Sequence, residues 1–184
     1  MKQFVFISLV LALGATPGVL AQNDSPITRE GRYWVRTING VATGLPMQRC
    51  RLDTIGNVVL QGDNSNQAAY KLKVRVQARN AREAAFLLRQ FEVKTRIQGD
   101  WMRLTVMPPK NIAEAPELSM TVPRTLLRMW IETRAGNVQA SDLDGELEAR
   151  SAGGQINVEG IKGRCQLRTG GGDILVGTNG GREH

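Results

Sequence analysis

Three consecutive stretches of 18 residues, 128–145, 146–163 and 164–181, repeat one another column by column. No other feature of this chain restricts its fold as strongly. Gly136, Gly154 and Gly172 align, as do Gly145, Gly163 and Gly181. Thr133, Ser151 and Thr169 share a column. The apolar columns are Met129/Leu147/Cys165, Ile131/Ala149/Leu167, Val138/Ile156/Ile174 and Ala140/Val158/Val176. Within each stretch the apolar residues lie two apart, which is strand periodicity, and the glycines fall where the chain turns. Each repeat therefore reads as strand, glycine-rich turn, strand, second turn.

A meander of hairpins and a parallel β-solenoid both fit this alternation. Only the solenoid explains why the same chemistry recurs at every second strand, because equivalent positions then touch across about 4.8 Å. Arg128, Glu146 and Arg164 alternate in sign, so each would face its opposite. Asn137, Gln155 and Asp173 form a polar column beside the turn, whereas Glu132, Arg150 and Arg168 put two arginines next to each other. An earlier coil is visible as well. Arg49-Cys50-Arg51-Leu52-Asp53-Thr54 matches Arg164-Cys165-Gln166-Leu167-Arg168-Thr169, and Gly56-Asn57-Val58-Val59-Leu60 matches Gly172-Asp173-Ile174-Leu175-Val176. The fold expected is mainly all-β: a β-solenoid of 18-residue coils that starts near residue 48, is interrupted, and resumes near 117.

The interruption, residues 69–107, reads as a strand–helix–hairpin segment. Leu72, Val74 and Val76 alternate with Lys71, Lys73 and Arg75. Asn80 followed by Glu83 is a capping box opening a helix over about 81–91, with Ala84, Leu87, Leu88 and Phe91 on one face. Gly99-Asp100 is a two-residue hairpin signal that sets Ile97 opposite Met102, Thr95 opposite Leu104, Val93 opposite Val106 and Arg96 opposite Arg103. If the strands of this segment are neighbours, Lys71, Lys73, Arg75, Lys94, Arg96 and Arg103 make a polyanion-binding patch bordered by Trp101. The alternative is a solvated face whose charges discourage edge pairing.

Residues 1–21 read as a cleavable signal peptide. Lys2 precedes the apolar run Phe4–Leu13, and Val19-Leu20-Ala21 offers a cleavage site before Gln22. Removing Lys2 takes the net charge from +7 to +6. The chain is thus expected to be secreted or periplasmic, with residues 22–47 as an N-terminal strand segment, 48–181 as the solenoid domain and 182–184 as a tail. In an oxidising compartment Cys50 and Cys165 could form a disulfide; two buried thiols is the other reading, since both lie on apolar faces.

No catalytic constellation can be assembled. The single histidine is His184, the last residue. Thr169-Gly170-Gly171-Gly172-Asp173 lacks the Gly-Lys-Ser/Thr ending of a phosphate loop and precedes a strand. Nor do its equivalents, Asn137 and Gln155, stack carboxylates for calcium. No enzyme activity, cofactor or metal is expected.

The stretches Val122-Pro123-Arg124, Glu132-Thr133-Arg134-Ala135-Gly136-Asn137-Val138, Ser151-Ala152-Gly153-Gly154-Gln155-Ile156 and Thr169-Gly170-Gly171-Gly172-Asp173-Ile174 resemble a bacterial family of exported proteins, the "putative adhesin" family, a domain of unknown function. The resemblance covers roughly residues 30–181 and implies a β-helical fold, an envelope or secreted location and no catalytic residues. Partners compatible with this reading are a cell-surface glycan, an anionic lipid or a protein. Self-association through the terminal coil, where Asn179 replaces the apolar Leu143 and Ile161, is the structural alternative. A basic strip with few aromatics argues against nucleic acid.

Overall fold

The computed structural model describes residues 20–42, 47–110 and 114–177. Most of the expected signal peptide, Gly181, and the 182–184 tail with His184 lie outside these residues. The strands in chain order are β1 (Leu20–Asp24), β2 (Thr28–Glu30), β3 (Tyr33–Ala42), β4 (Arg49–Thr54), β5 (Asn57–Asp63) and β6 (Ala68–Val76). After α1 (Ala81–Leu88), the one helix among the described residues, come β7 (Glu92–Gln98), β8 (Trp101–Met107), β9 (Glu117–Pro123), β10 (Arg128–Thr133) and β11 (Val138–Ser141). The chain continues through β12 (Glu146–Ser151), β13 (Ile156–Glu159), β14 (Cys165–Thr169) and β15 (Ile174–Gly177).

These strands form a mainly β fold of two mixed sheets. The nine-stranded sheet runs β1-β3-β6-β9-β5-β11-β13-β15, with β2 on β3; the six-stranded sheet runs β14-β12-β10-β4-β8-β7. From β10 onward the chain alternates between the sheets, and each strand pairs in parallel with the strand 18 residues later. Met129, Leu147 and Cys165 are register partners, as are Val138, Ile156 and Ile174. Consecutive strands here do not pair with each other, which excludes a hairpin meander. The apolar columns line the space between the sheets, where Met129, Ile131, Val138, Leu147, Ala149 and Ile156 are buried.

Side chains also link one turn to the next. Thr133 Oγ1 donates to the Gly56 carbonyl at 2.8 Å, Ser151 Oγ to that of Gly136 at 2.8 Å, and Thr169 Oγ1 to that of Gly154 at 2.6 Å. Asn57 Oδ1 accepts from the Asn137 amide and Asn137 Oδ1 from the Gln155 amide, both at 2.9 Å. The glycines are needed mainly for close approach. Among the described glycines of the aligned column, Gly136 and its early-coil equivalent Gly56 have positive φ, 122° and 103°, whereas Gly154 and Gly172 do not. A Cβ on Gly154 would fall on the Gly136 carbonyl, and Gly145, Gly163 and Gly172 meet backbone in the same way.

The early coil lies where the column alignment puts it. Cys50 faces Met129, Leu52 faces Ile131, and Val58 faces Val138. The parallel pattern is present again from Glu117, where β9 begins, but it stacks on the other side of the early coil from β10 and β11. β9 pairs with β5 on the side away from β11, and β8 pairs with β4 on the side away from β10. The segment between the coils therefore extends both sheets. Its alternating residues Met102, Leu104, Leu118 and Met120 are buried in the same core cluster as Leu52 and Leu60, and that burial decides its position. β6 completes the join, antiparallel to both β3 and β9.

The hairpin has the expected register throughout, Arg96 opposite Arg103 included. The helix is shorter than expected, ending at Leu88, and Phe91 is buried just beyond it. Asn80 Oδ1 caps the Glu83 amide at 2.9 Å; Glu83 reaches back to the amide of Arg79, one residue before the cap. The disulfide is corrected outright: both cysteines are free thiols. Cys50 and Cys165 share a column but have β10 and β12 between them. Three strand spacings make about 14 Å, twice the reach of a disulfide. Burial pushes the Cys50 thiol up to about 12.

Candidate functional site

Strand alternation sends every second residue of the six-stranded sheet outward. Register then sorts those residues into rows running across the strands. One row holds Gln98, Trp101, Arg49, Arg128 and Glu146. The next holds Arg96, Arg103, Arg51, Trp130, Glu148 and Gln166, and a third holds Lys94, Thr105, Asp53, Glu132, Arg150 and Arg168.

Trp101 of β8 and Trp130 of β10 reach toward each other over β4. Their ring centroids are 5.0 Å apart and their planes 12° from parallel. The Arg49 guanidinium lies 5.4 Å from the Trp101 ring and that of Arg128 lies 5.1 Å from the Trp130 ring. Each of these groups is held in place. Asp100 grips Arg49 through two bonds of 2.9 Å, Glu146 accepts from Arg128 Nε at 2.7 Å, and Trp130 Nε1 donates to Glu148 at 3.0 Å. Ion pairs this exposed add little stability; their effect is to fix the orientation of the aromatic pair.

Beside Trp101 is a shallow cavity of about 380 Å³, lined also by Arg51, Arg96, Gln98 and Arg103. Asp53 bridges two of these cations, accepting from Arg51 Nε at 2.8 Å and pairing with Arg103 Nε at 2.9 Å. Glu132 takes the other side of Arg51 at 2.9 Å. Arg96 has no acidic partner and no side-chain hydrogen bond among the described residues. A rigid aromatic wall, a fork of guanidiniums and an amide can hold a planar anion on a ring-shaped body.

The six residues expected to form one basic patch are divided between the sheets. Lys71, Lys73 and Arg75 belong to β6 in the nine-stranded sheet; Lys94, Arg96 and Arg103 belong to β7 and β8 in the six-stranded one. The first set is partly neutralised, Lys73 by Glu30 at 2.9 Å and Arg75 by Glu117. In the second set Lys94 faces Glu92 at 3.8 Å. Sequence reasoning did not bring in Arg51, Arg49, Arg128 or Trp130. A signal for Arg51 was present, since Arg51-Leu52 and Arg103-Leu104 are register partners with the same two residues.

Among the described residues no group of three or more His, Cys, Asp or Glu could hold a metal ion. Asp144 is kept below the usual carboxylate range by a hydrogen bond from Lys162, with Arg124 adding to it, so it is poorly suited to act as a general acid.

No family model and no curated protein sequence matches the chain. Three solved structures resemble it distantly. A "putative cell adhesion protein" from Clostridium sporogenes aligns at 6% identity and TM-score 0.46, over 88% of this chain and 100% of that one. A "putative adhesin" from Bacteroides fragilis gives 10% and 0.31, over 90% and 100%. Another from Parabacteroides distasonis gives 9% and 0.31, over 87% and 68%. The likeness to adhesin-type proteins is thus structural and remote, and it assigns no ligand and no site.

Proposed function

We propose that this chain is an exported, non-catalytic β-solenoid protein that binds a ligand on the outer face of its six-stranded sheet. The parallel ladders at a constant offset of 18 residues support the solenoid reading. The observation that carries the binding reading is the Trp101–Trp130 stack on an outward face, set among arginines already held in position. Rigid aromatics beside guanidiniums supply contact area at little entropic cost.

Export rests on Lys2 and the Phe4–Leu13 run. Cleavage before Gln22 leaves Gln22–Asp24 of β1 to pair with Ile38–Gly40. N-terminal sequencing of the envelope or culture fraction should then begin at Gln22. For binding, the chain from Gln22 onward is screened on glycan and lipid arrays. Saturable binding to a component that Trp101→Ala abolishes and Lys71→Ala leaves intact supports the reading; binding indifferent to Trp101 contradicts it.

Self-association is the second reading, and β15 favours it. Ile174 and Val176 are 41% and 59% exposed, although their column partners Ile156 and Val158 are buried, and the outward Leu175 is 50% exposed beside them. A monodisperse monomer by light scattering at high concentration would sink it.

A further inference from the structure

We infer that the row Arg51–Arg103–Arg96, walled by Trp101, is a receptor site for an acidic saccharide, a sugar unit carrying a carboxylate or sulfate. The inference rests on the proposed binding role of this face and assigns it a ligand class. The three arginines are register partners on β4, β8 and β7, so their strands lie about 4.8 Å apart. Like charges on adjacent strands repel one another, so each guanidinium favours an anionic partner. Asp53 and Glu132 neutralise Arg51 and Arg103. Arg96 retains its charge unbalanced on the cavity wall. One added anionic group completes the balance of three cations against two anions. The guanidinium fork fits a carboxylate or a sulfate ester through two parallel hydrogen bonds.

The rest of the cavity fits a sugar ring. The axial C–H bonds of a pyranose present an apolar, weakly positive face, which the negative face of an indole attracts. Trp101 supplies that indole, fixed by Trp130 and Arg49. Gln98 supplies a donor and an acceptor for ring hydroxyls. A second hollow adjoins the first and shares Arg96 and Arg103 with it, continuing past Lys94, Thr105 and Gln22. Two hollows meeting at the arginine pair suit an oligosaccharide whose acidic group sits at the junction.

A nucleic acid fits less well. A phosphate backbone needs a continuous basic groove, whereas beyond β4 the same face carries mixed charge, with Glu132, Glu146 and Glu148 interleaved with Arg128 and Arg150 on β10 and β12. The two tryptophans also stack on each other and leave no slot between them for a base.

The test is calorimetric titration of the chain from Gln22 onward with three saccharide probes: tetragalacturonate, its fully methyl-esterified form, and a chondroitin sulfate tetrasaccharide. Single-stranded oligo(dT) is a fourth arm. At least one acidic saccharide should bind saturably, with the methyl ester at least tenfold weaker than tetragalacturonate if the carboxylate is the recognised group. Binding of the sulfated probe alone assigns the sulfate. Arg96→Gln should weaken binding at least tenfold with an unchanged melting temperature, since Arg96 makes no side-chain bond among the described residues that folding would lose. Equal binding of the methyl ester and tetragalacturonate, or an Arg96→Gln variant that binds acidic saccharide like the parent, overturns the assignment. If Trp101→Ala still abolishes binding in that case, the binding face stands and only the ligand class fails. Preference for oligo(dT), or no binding by any probe, also overturns it.

Discussion

Replacing Ser151 with alanine tests the cross-links between successive turns. Ser151 Oγ donates to the Gly136 carbonyl at 2.8 Å and accepts from the Gly154 amide at 3.0 Å. Ser151 is only 4% exposed and Gly154 is buried, so water has little access to the groups left behind. Losing the hydroxyl removes these two bonds, about 1 kcal/mol net each, and strands the buried Gly154 amide besides; the longer bond from the exposed Gly153 amide at 3.4 Å adds little, since water can replace it. The expected loss is about 2–3 kcal/mol, which lowers the melting temperature by roughly 5–10 °C in a chain of this size. Thr169 makes the equivalent bond to Gly154 at 2.6 Å, but its amide partners Gly171 and Gly172 are exposed. Water can satisfy them, so Thr169→Val should cost only about 1 kcal/mol or less. Urea and thermal unfolding of both variants against the parent measure the difference. A Ser151→Ala variant within about 0.5 kcal/mol of the parent, or equal costs at both positions, refutes the reasoning.

Two further outcomes follow from the helix and from the thiols. Asn80→Ala removes the cap on the Glu83 amide and should cost about 1 kcal/mol in urea unfolding, while Asn80→Asp should retain most of it. In the native protein a thiol reagent at pH 8 should modify Cys165 and leave the fully buried Cys50 unmodified until unfolding. Because the Cys50 thiol is pushed from 9.0 to about 12 in the folded chain, the folded state holds that proton more tightly than the unfolded one. Its contribution is complete below pH 9 and declines between pH 9 and 12. Cys50→Ala should therefore flatten the alkaline fall in stability measured from pH 8 to 10.5.

What was legible in the sequence is what depends on local period and on the repeat. The columns through Met129, Val138 and Thr133 needed no long-range information, because a shift of one residue would turn every buried side chain outward. Gly99-Asp100 fixed the hairpin register for the same reason. What was not legible is the order in which segments stack. β8 and β9 have the right alternation to sit against any strand with the same pattern. Their place below β4 and β5 is decided by which apolar edges remain open once β10 and β11 have taken the other side. The binding face inherits that limit. Arg96 opposite Arg103 follows from a two-residue turn, but Arg51 joins them only through a pairing between strands some 50 residues apart. Trp130 was hidden differently: it occupies an outward column whose other members, Arg51, Glu148 and Gln166, share no residue type. The pairing of Lys71 with Lys94 failed because adjacent segments of the chain went to opposite sheets.

The stacking register is tested most directly by engineered disulfides in a background with Cys50 and Cys165 replaced by alanine. Gln139 and Asn157 are outward-facing register partners on β11 and β13. Their Cα atoms stand one strand spacing apart, about 4.8 Å, within disulfide reach. Gln139→Cys with Asn157→Cys should cross-link on mild oxidation. Gln139→Cys with Glu159→Cys, displaced two residues along the same strand, should remain reduced. Efficient cross-linking of the displaced pair, or none in the register pair, would contradict the 18-residue parallel stacking on which the fold and the binding face both depend.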